Sequence, residues 1–152
     1  MEWQLTRFDE LGAARLYRML ALRSAVFVVE QDCAYQDLDG LDLHPQVRHL
    51  NLWQGEQLLA GARLLGPGVL APDQVWIGRV MVAPAQRGRG LARSLMRRAM
   101  AEVGRLWPGQ PLWLGAQVYV LDFYASLGFV PEGEEYLEDG IPHRRMMCAC
   151  SA

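Results

Sequence analysis

Six consecutive residues, Arg87-Gly88-Arg89-Gly90-Leu91-Ala92, concentrate the chemistry of this sequence. Small residues at 88, 90 and 92 let an anion approach main-chain N–H groups closely. Arg87 and Arg89 add guanidinium groups that pair with phosphate oxygens. Upstream lies a nearly unbroken apolar run, Val75 to Val82. Downstream, Leu91, Ala92, Leu95, Met96, Ala99, Met100 and Val103 form an apolar stripe at helical spacing. A strand that enters a helix through such a turn offers the unpaired N–H groups of the first turn, at the positive end of the helix dipole. That is the description of a pyrophosphate cradle. It is not a P-loop, which ends in Gly-Lys-Ser or Gly-Lys-Thr. Nor is it a Rossmann loop, because Arg93 holds the place of the third glycine. A plain strand–helix connection, with glycines serving tight packing, is the alternative that these residues leave open.

Other side chains suit proton transfer. An amine nucleophile must lose a proton, and a carboxylate or imidazole can take it directly or through water. Glu30 ranks first, because it follows an apolar run that packs in a core; its alternative is an ion pair with Arg23 or another cation. His143, after Pro142 in a C-terminal hairpin, ranks second, with a turn contact as its alternative. His49, on an alternating strand, ranks third and also reads as a half-buried histidine. Tyr124, among Phe123, Leu127 and Phe129, reads from its neighbours as a core aromatic. Asp39, Asp42, Glu138 and Asp139 make either an acidic rim that attracts a cationic amine or a solvated set of turn residues.

The elements that must position these groups follow from periodicity. Trp3 to Arg7 alternates as a first strand, and Asp9 to Phe27 carries helical spacing with Asp9 as its cap. Gln31 to Pro45 is an irregular, Asp-rich loop. Arg48 to Trp53 and Gln57 to Leu65 form a hairpin about Gly55, and Val75 to Val82 is a strand buried on both faces. After the central helix come a strand at Leu112 to Gln117, a short helix at Val118 to Leu127 stopped by Gly128, and a strand beginning at Phe129 and Val130. A final hairpin turns at Glu138-Asp139-Gly140, between Tyr136-Leu137 and Arg144 to Cys148. The order predicts an α/β (α+β) mixed sheet with helices on both faces, and a right-handed crossover from Val75 to Gln117.

Composition bounds the answer. The 152 residues fit one domain, 1–152, and an apolar content of 51% suffices for a core. A net charge of −2 argues against nucleic acid as a partner. No apolar run reaches the roughly 20 residues that span a bilayer, and the N-terminus does not read as a signal peptide, so a cytoplasmic protein with no membrane partner is expected. Cys33, Cys148 and Cys150 imply no disulfide framework. Cys148 and Cys150 share one face of a strand, but nothing completes a metal site, so no metal is expected. The stretch near Trp107-Pro108 and the strand edges are open to a homodimer as much as to a monomer.

The cradle matches the Arg/Gln-x-x-Gly-x-Gly/Ala signature, and with it the chain resembles the GNAT acetyltransferase superfamily. The likeness to its ElaA-like branch covers almost the whole chain. It runs through Leu22-Arg23-x-x-Val26-Phe27-Val28-Val29-Glu30-Gln31, Tyr35-x-x-Leu38-Asp39-Gly40-x-Asp42 and His49-Leu50. It continues through Gly78-Arg79-Val80, Ala116-Gln117, Phe123-Tyr124-x-x-x-Gly128-Phe129 and Glu138-Asp139-Gly140-Ile141-Pro142-His143. The resemblance implies a mostly antiparallel sheet with a V-shaped split between two parallel central strands. It implies acetyl-CoA as co-substrate, lying where the strands around Val82 and Gln117 splay, with main-chain groups at Met81 and Val82 beside the thioester. It implies that Tyr124 protonates the leaving thiolate, and that the acceptor is a small-molecule or protein amine. Two other readings remain: a non-catalytic acyl-CoA sensor, and an acyl-homoserine-lactone synthase, which Arg23-x-x-x-Phe27 resembles but which is expected to use a carrier-protein donor.

Overall fold

The computed structural model describes residues 1–149, which fold around one seven-stranded sheet of order β1-β2-β3-β4-β5-β7-β6. The strands are β1 (Glu2–Thr6), β2 (Val47–Gln54), β3 (Gln57–Leu65), β4 (Val75–Val82), β5 (Leu112–Gln117), β6 (Val130–Glu138) and β7 (Ile141–Cys148). Every neighbouring pair is antiparallel except β4 and β5. Joining that parallel pair requires a crossover, supplied by α2 (Leu91–Leu106). Cys150 lies outside the described residues.

The two faces of the sheet are covered by different helices. On one, Leu95, Met96, Ala99 and Val103 of α2 pack on Leu50, Leu52, Leu64, Val75, Leu112 and Leu114. On the other, α1 (Ala13–Arg23) and the segment after it place Met19 and Val26 against Trp53, Leu58 and Met81. The alternation of β2 sends Leu50 and Leu52 to the first face and Trp53 to the second. Each fully buried Leu or Met of α2 contributes about 2–3 kcal/mol, so the strand–crossover–strand unit is tightly fixed.

Three elements differ from the periodicity reading. Asp9 does not cap α1: it sits in a 3-10 turn, Phe8–Glu10, and α1 begins only after Gly12, whose φ of 79° breaks the chain direction. The helical pattern that continues to Phe27 becomes a π-helical stretch, Ser24–Glu30, directly after the buried Arg23. The short helix splits into a 3-10 turn, Val118–Val120, and α3 (Leu121–Ala125). Gly128 (φ 100°) closes α3, with the Phe129 N–H donating to Tyr124 O at 3.2 Å. The β6–β7 hairpin turns at Asp139 and Gly140, both at positive φ (51° and 77°), as a two-residue turn requires.

Trp107 is not exposed as expected. It packs against the larger core and its indole N–H donates to Gln46 Oε1 at 3.4 Å. The ring lies over Gly66, where a Cβ would stand 2.6 Å from Trp107 Cζ2 and 2.8 Å from the Gln46 carbonyl oxygen. Because that carbonyl is main chain, Gly66→Ala is expected to destabilise the fold by about 1–3 kcal/mol. Urea unfolding checks this, with an unchanged midpoint as the contrary result.

Candidate active site

Only two residue pairs, Val75 with Leu112 and Trp76 with Trp113, join β4 to β5 before the strands diverge. A cleft of about 1140 Å³ runs through the gap. A bulge in β4 lies beside it. Gly78 pairs with Arg63 and Met81 with Gly61, so Arg79 and Val80 together oppose Ala62. Arg79 sits at φ 51°, a left-handed conformation that costs a non-glycine residue about 1–3 kcal/mol.

The cradle follows the bulge. Gly88 and Gly90 have φ of 80° and 76°, and a Cβ built on either meets nothing within 4 Å. Tight packing therefore does not account for them; they serve the turn and leave open space above it. The N–H groups of Gly88 through Arg93 have no acceptor among the described residues, and the Ser94 N–H is the first to close onto the helix, on Gly90 O at 3.2 Å. A row of N–H groups at a helix N-terminus fits a pyrophosphate. Arg89 is bonded to Gln86, and Arg93 reaches Ser126 Oγ at 3.0 Å.

Arg87 is more committed than its sequence context suggests. Its Nη1 and Nη2 donate to Glu30 Oε2 and Oε1 at 2.5 and 2.7 Å, and its Nε donates to Val82 O at 3.2 Å. The Glu30 carboxyl is held below the usual carboxylate range by those hydrogen bonds. An ion-paired carboxylate of lowered pKa is a poor proton acceptor. The ion pair anticipated for Glu30 is thus present, with a cradle arginine rather than Arg23.

Tyr124 projects from α3 into the cleft, edge-on to Phe123 and Phe129 with centroids at 5.1 and 6.1 Å. Burial, reinforced by Tyr119, pushes its hydroxyl up to about 12, so it keeps its proton at neutral pH. The hydroxyl has no hydrogen-bond partner among the described residues.

His143 also lines the cleft, opposite Gln117 on β5 and Tyr136 on β6. Its Nδ1 is 2.6 Å from Ile141 O, and a carbonyl only accepts, so Nδ1 carries a hydrogen. Tyr136 stacks on the ring at 5.8 Å, and Glu138 Oε2 is 3.5 Å from Nε2. Sequence reasoning missed Tyr136, whose hydroxyl lies where a Cβ at Gly115 would be, 2.6 Å away. The glycine in an otherwise bulky strand was the available signal. The walls meet where Gln117 Nε2 donates to Gln31 Oε1 at 3.2 Å and Cys33 Sγ to Asp139 O at 3.6 Å.

The four-residue acidic rim is not assembled. Asp42 is 4% exposed and accepts from Arg23 and Arg63; Asp39 accepts from Arg63 and Arg79. Burial raises both carboxyls, but the arginines outweigh it and leave them below the ordinary range. His49, 1% exposed, is not part of the cleft and stands beside Asp42 instead. Burial, assisted by Arg23 and Arg63 against the pull of Asp42, pushes His49 down from 6.5 to about 4. The unfolded chain therefore binds the extra proton between those values, and stability falls as pH falls through that window. The loss expected is about 3 kcal/mol. Asp39 and Asp42 add a second loss below the ordinary carboxylate range. Urea unfolding from pH 7 to 4 should show the slope, and His49→Asn should remove most of it; a flat wild-type profile would contradict the assignment.

The seven-stranded sheet with one parallel pair, the split and the cradle define an acyltransferase fold. Residues 42–150 match the family model described as acetyltransferase (GNAT) domain, and the chain belongs to that family. Members bind acyl-CoA and pass the acyl group to an acceptor, and the protein is an acyltransferase in that sense. Within the family it belongs to the ElaA-like branch. It is 46% identical to protein ElaA of Escherichia coli (strain K12) over 144 residues, 94% of this chain and 93% of that one. Its structure is similar to an acyl-CoA N-acyltransferase from Pseudomonas aeruginosa, with a TM-score of 0.92 and 47% identity over 97% of this chain and 99% of that one. The crystal structure of Escherichia coli ElaA gives 0.89 and 45% over the same shares. A CoA-dependent acyl-homoserine lactone synthase, BjaI, solved with SAM and isopentyl-CoA, shares the fold alone, with a TM-score of 0.77 and 18% identity over 94% of this chain and 80% of that one. That synthase is CoA-dependent, whereas a carrier-protein donor was expected of such enzymes. Among the described residues, no helix is long and apolar enough to cross a membrane.

Proposed function

We propose that the protein moves an acetyl group from acetyl-CoA to a primary amine by direct attack in a ternary complex. The observation that carries this reading is the placement of two unlike groups in one cleft: the protonated Tyr124 hydroxyl on α3, and on β7 the His143 ring, whose Nδ1 is engaged by Ile141 O. The N–H groups of Gly88 to Arg93 hold the pyrophosphate, and the ends of β4 and β5 at Met81, Val82 and Gln117 take the pantetheine arm. CoA supplies the activated thioester. A main-chain N–H at Met81 or Val82 stabilises the developing oxyanion. His143 Nε2 takes the amine proton and Tyr124 donates one to the departing sulfur. Glu138, exposed beside His143, draws the acceptor in as its ammonium form, which gives one proton to solvent water to become the attacking amine before His143 takes the second.

Thiol release from acetyl-CoA with panels of small amines and amine-bearing peptides tests the activity. The chain contains no lysine, so transfer to its own side-chain amines adds no background. Binding of acetyl-CoA without thiol release from any panel would favour the sensor reading instead. Within the active enzyme, Tyr124→Phe is expected to lower kcat about 10- to 100-fold while acetyl-CoA affinity is kept. Unchanged turnover would remove Tyr124 from the mechanism.

A further inference from the structure

We infer that Asp37 is a positioning residue for acyl transfer, acting by holding Arg79 in the left-handed conformation that bends β4 away from β5. The inference rests on the reading that N–H groups just beyond the bulge face the thioester.

Arg79 lies three residues beyond Trp76, the last β4 residue that pairs with β5, and its positive φ falls where Arg79 and Val80 together oppose Ala62. Glycine is the usual occupant of such a position. An arginine persists there only if its side chain is held from elsewhere. It is held firmly. Arg79 Nε donates to Asp37 Oδ1 at 2.7 Å, its Nη2 to Asp37 O at 3.1 Å and to Asp39 Oδ2 at 3.4 Å. The guanidinium also lies 5.4 Å from the Tyr35 ring centre.

Asp37 is itself immobilised by the last residue of α1. Arg23 Nε donates to Asp37 Oδ2 at 2.9 Å and its Nη2 to Asp37 O at 3.0 Å, while the Tyr35 hydroxyl donates to Oδ1 at 2.7 Å. Arg23 is 1% exposed, and its Nη1 and Nη2 also donate to Asp42. A chain of charge-assisted bonds therefore runs from α1 through Asp37 to the bulge.

Two features show that this cluster serves geometry and not substrate charge. Arg23, Arg63 and Arg79 are balanced by Asp37, Asp39 and Asp42. Both Asp37 oxygens and its carbonyl already accept from protein donors, which leaves poor acceptors for an incoming ammonium. Buried ion pairs of this kind add little net stability, and their best-attested use is to select one conformation.

The test compares Asp37→Asn, Arg79→Gly and the double variant. The readouts are kcat, KM for acetyl-CoA, thermal midpoint and the φ of residue 79 in crystal structures. Asn at 37 presents a donor to the guanidinium, so residue 79 should leave the left-handed region. Loss of one oxyanion donor then lowers kcat by about 10- to 100-fold with KM within about threefold. Glycine adopts the left-handed conformation unaided, so Arg79→Gly should lose less than about fivefold, and the double variant should match Arg79→Gly. The inference is overturned if φ79 is unchanged in Asp37→Asn, if the double variant is as slow as Asp37→Asn, or if Arg79→Gly alone falls as far. Should Asp37→Asn not fold, the Arg79→Gly result decides alone. Should the wild type transfer no acetyl group, the functional reading fails, while φ79 still judges the positioning.

Discussion

Alanine at position 143 is expected to reduce kcat by about 10²- to 10³-fold with KM for acetyl-CoA kept. The hydrogen bond from Nδ1 to Ile141 O commits that nitrogen, and the cross-strand stack with Tyr136 fixes the ring plane. Nε2 is thus the ring nitrogen left to take the amine proton. Glu30→Gln is the control, because a carboxylate clasped by Arg87 has little basicity to lose. Unchanged turnover in His143→Ala, or an equal loss in Glu30→Gln, would reverse the assignment of the base.

Valine at position 90 is expected to raise KM for acetyl-CoA by about 100-fold or more, equivalent to roughly 3 kcal/mol of lost binding. Gly90 is the residue immediately before α2, at φ 76°. A β-branched residue is strained there and turns the Leu91, Ala92 and Arg93 N–H groups away from a common anion. No neighbour lies within 4 Å of the built Cβ, so the defect should fall on binding rather than on the core. Calorimetry with acetyl-CoA, beside a thermal midpoint, separates the two. An unaltered affinity in the folded variant would mean that the cradle does not bind pyrophosphate.

Much of the fold was legible because its signals are local. β3, β4, β5 and α2 carry strong periodicity and punctuation, and the structure bounds them within a residue or two of that reading. The cradle was legible too, since glycine spacing and the helix stripe are contiguous. The base was not. Glu30 and Arg87 are 57 residues apart, so their ion pair is invisible to local pattern. His143 ranked behind Glu30, with a turn contact as its alternative, because the cross-strand partners that orient it, Tyr136 and Gln117, belong to other segments. Asp39 and Asp42 suggested a solvated rim for the same reason: their arginine partners come from α1, β3 and β4. The π-helical stretch after Arg23 was likewise hidden, because its apolar residues keep a spacing that an α-helix also fits.

The divergence of β4 from β5 also divides the molecule mechanically. Two residue pairs form the seam, whereas β5 and β7 are joined by six. The β5-β7-β6 ladder is therefore a candidate for cooperative opening ahead of the rest, leaving the β1-β4 ladder intact, the pattern that native-state amide exchange resolves as separate foldons. A donor bound across the seam touches both ladders and would couple their openings. In this protein, substrate saturation and resistance to proteolysis of the C-terminal ladder should then rise together.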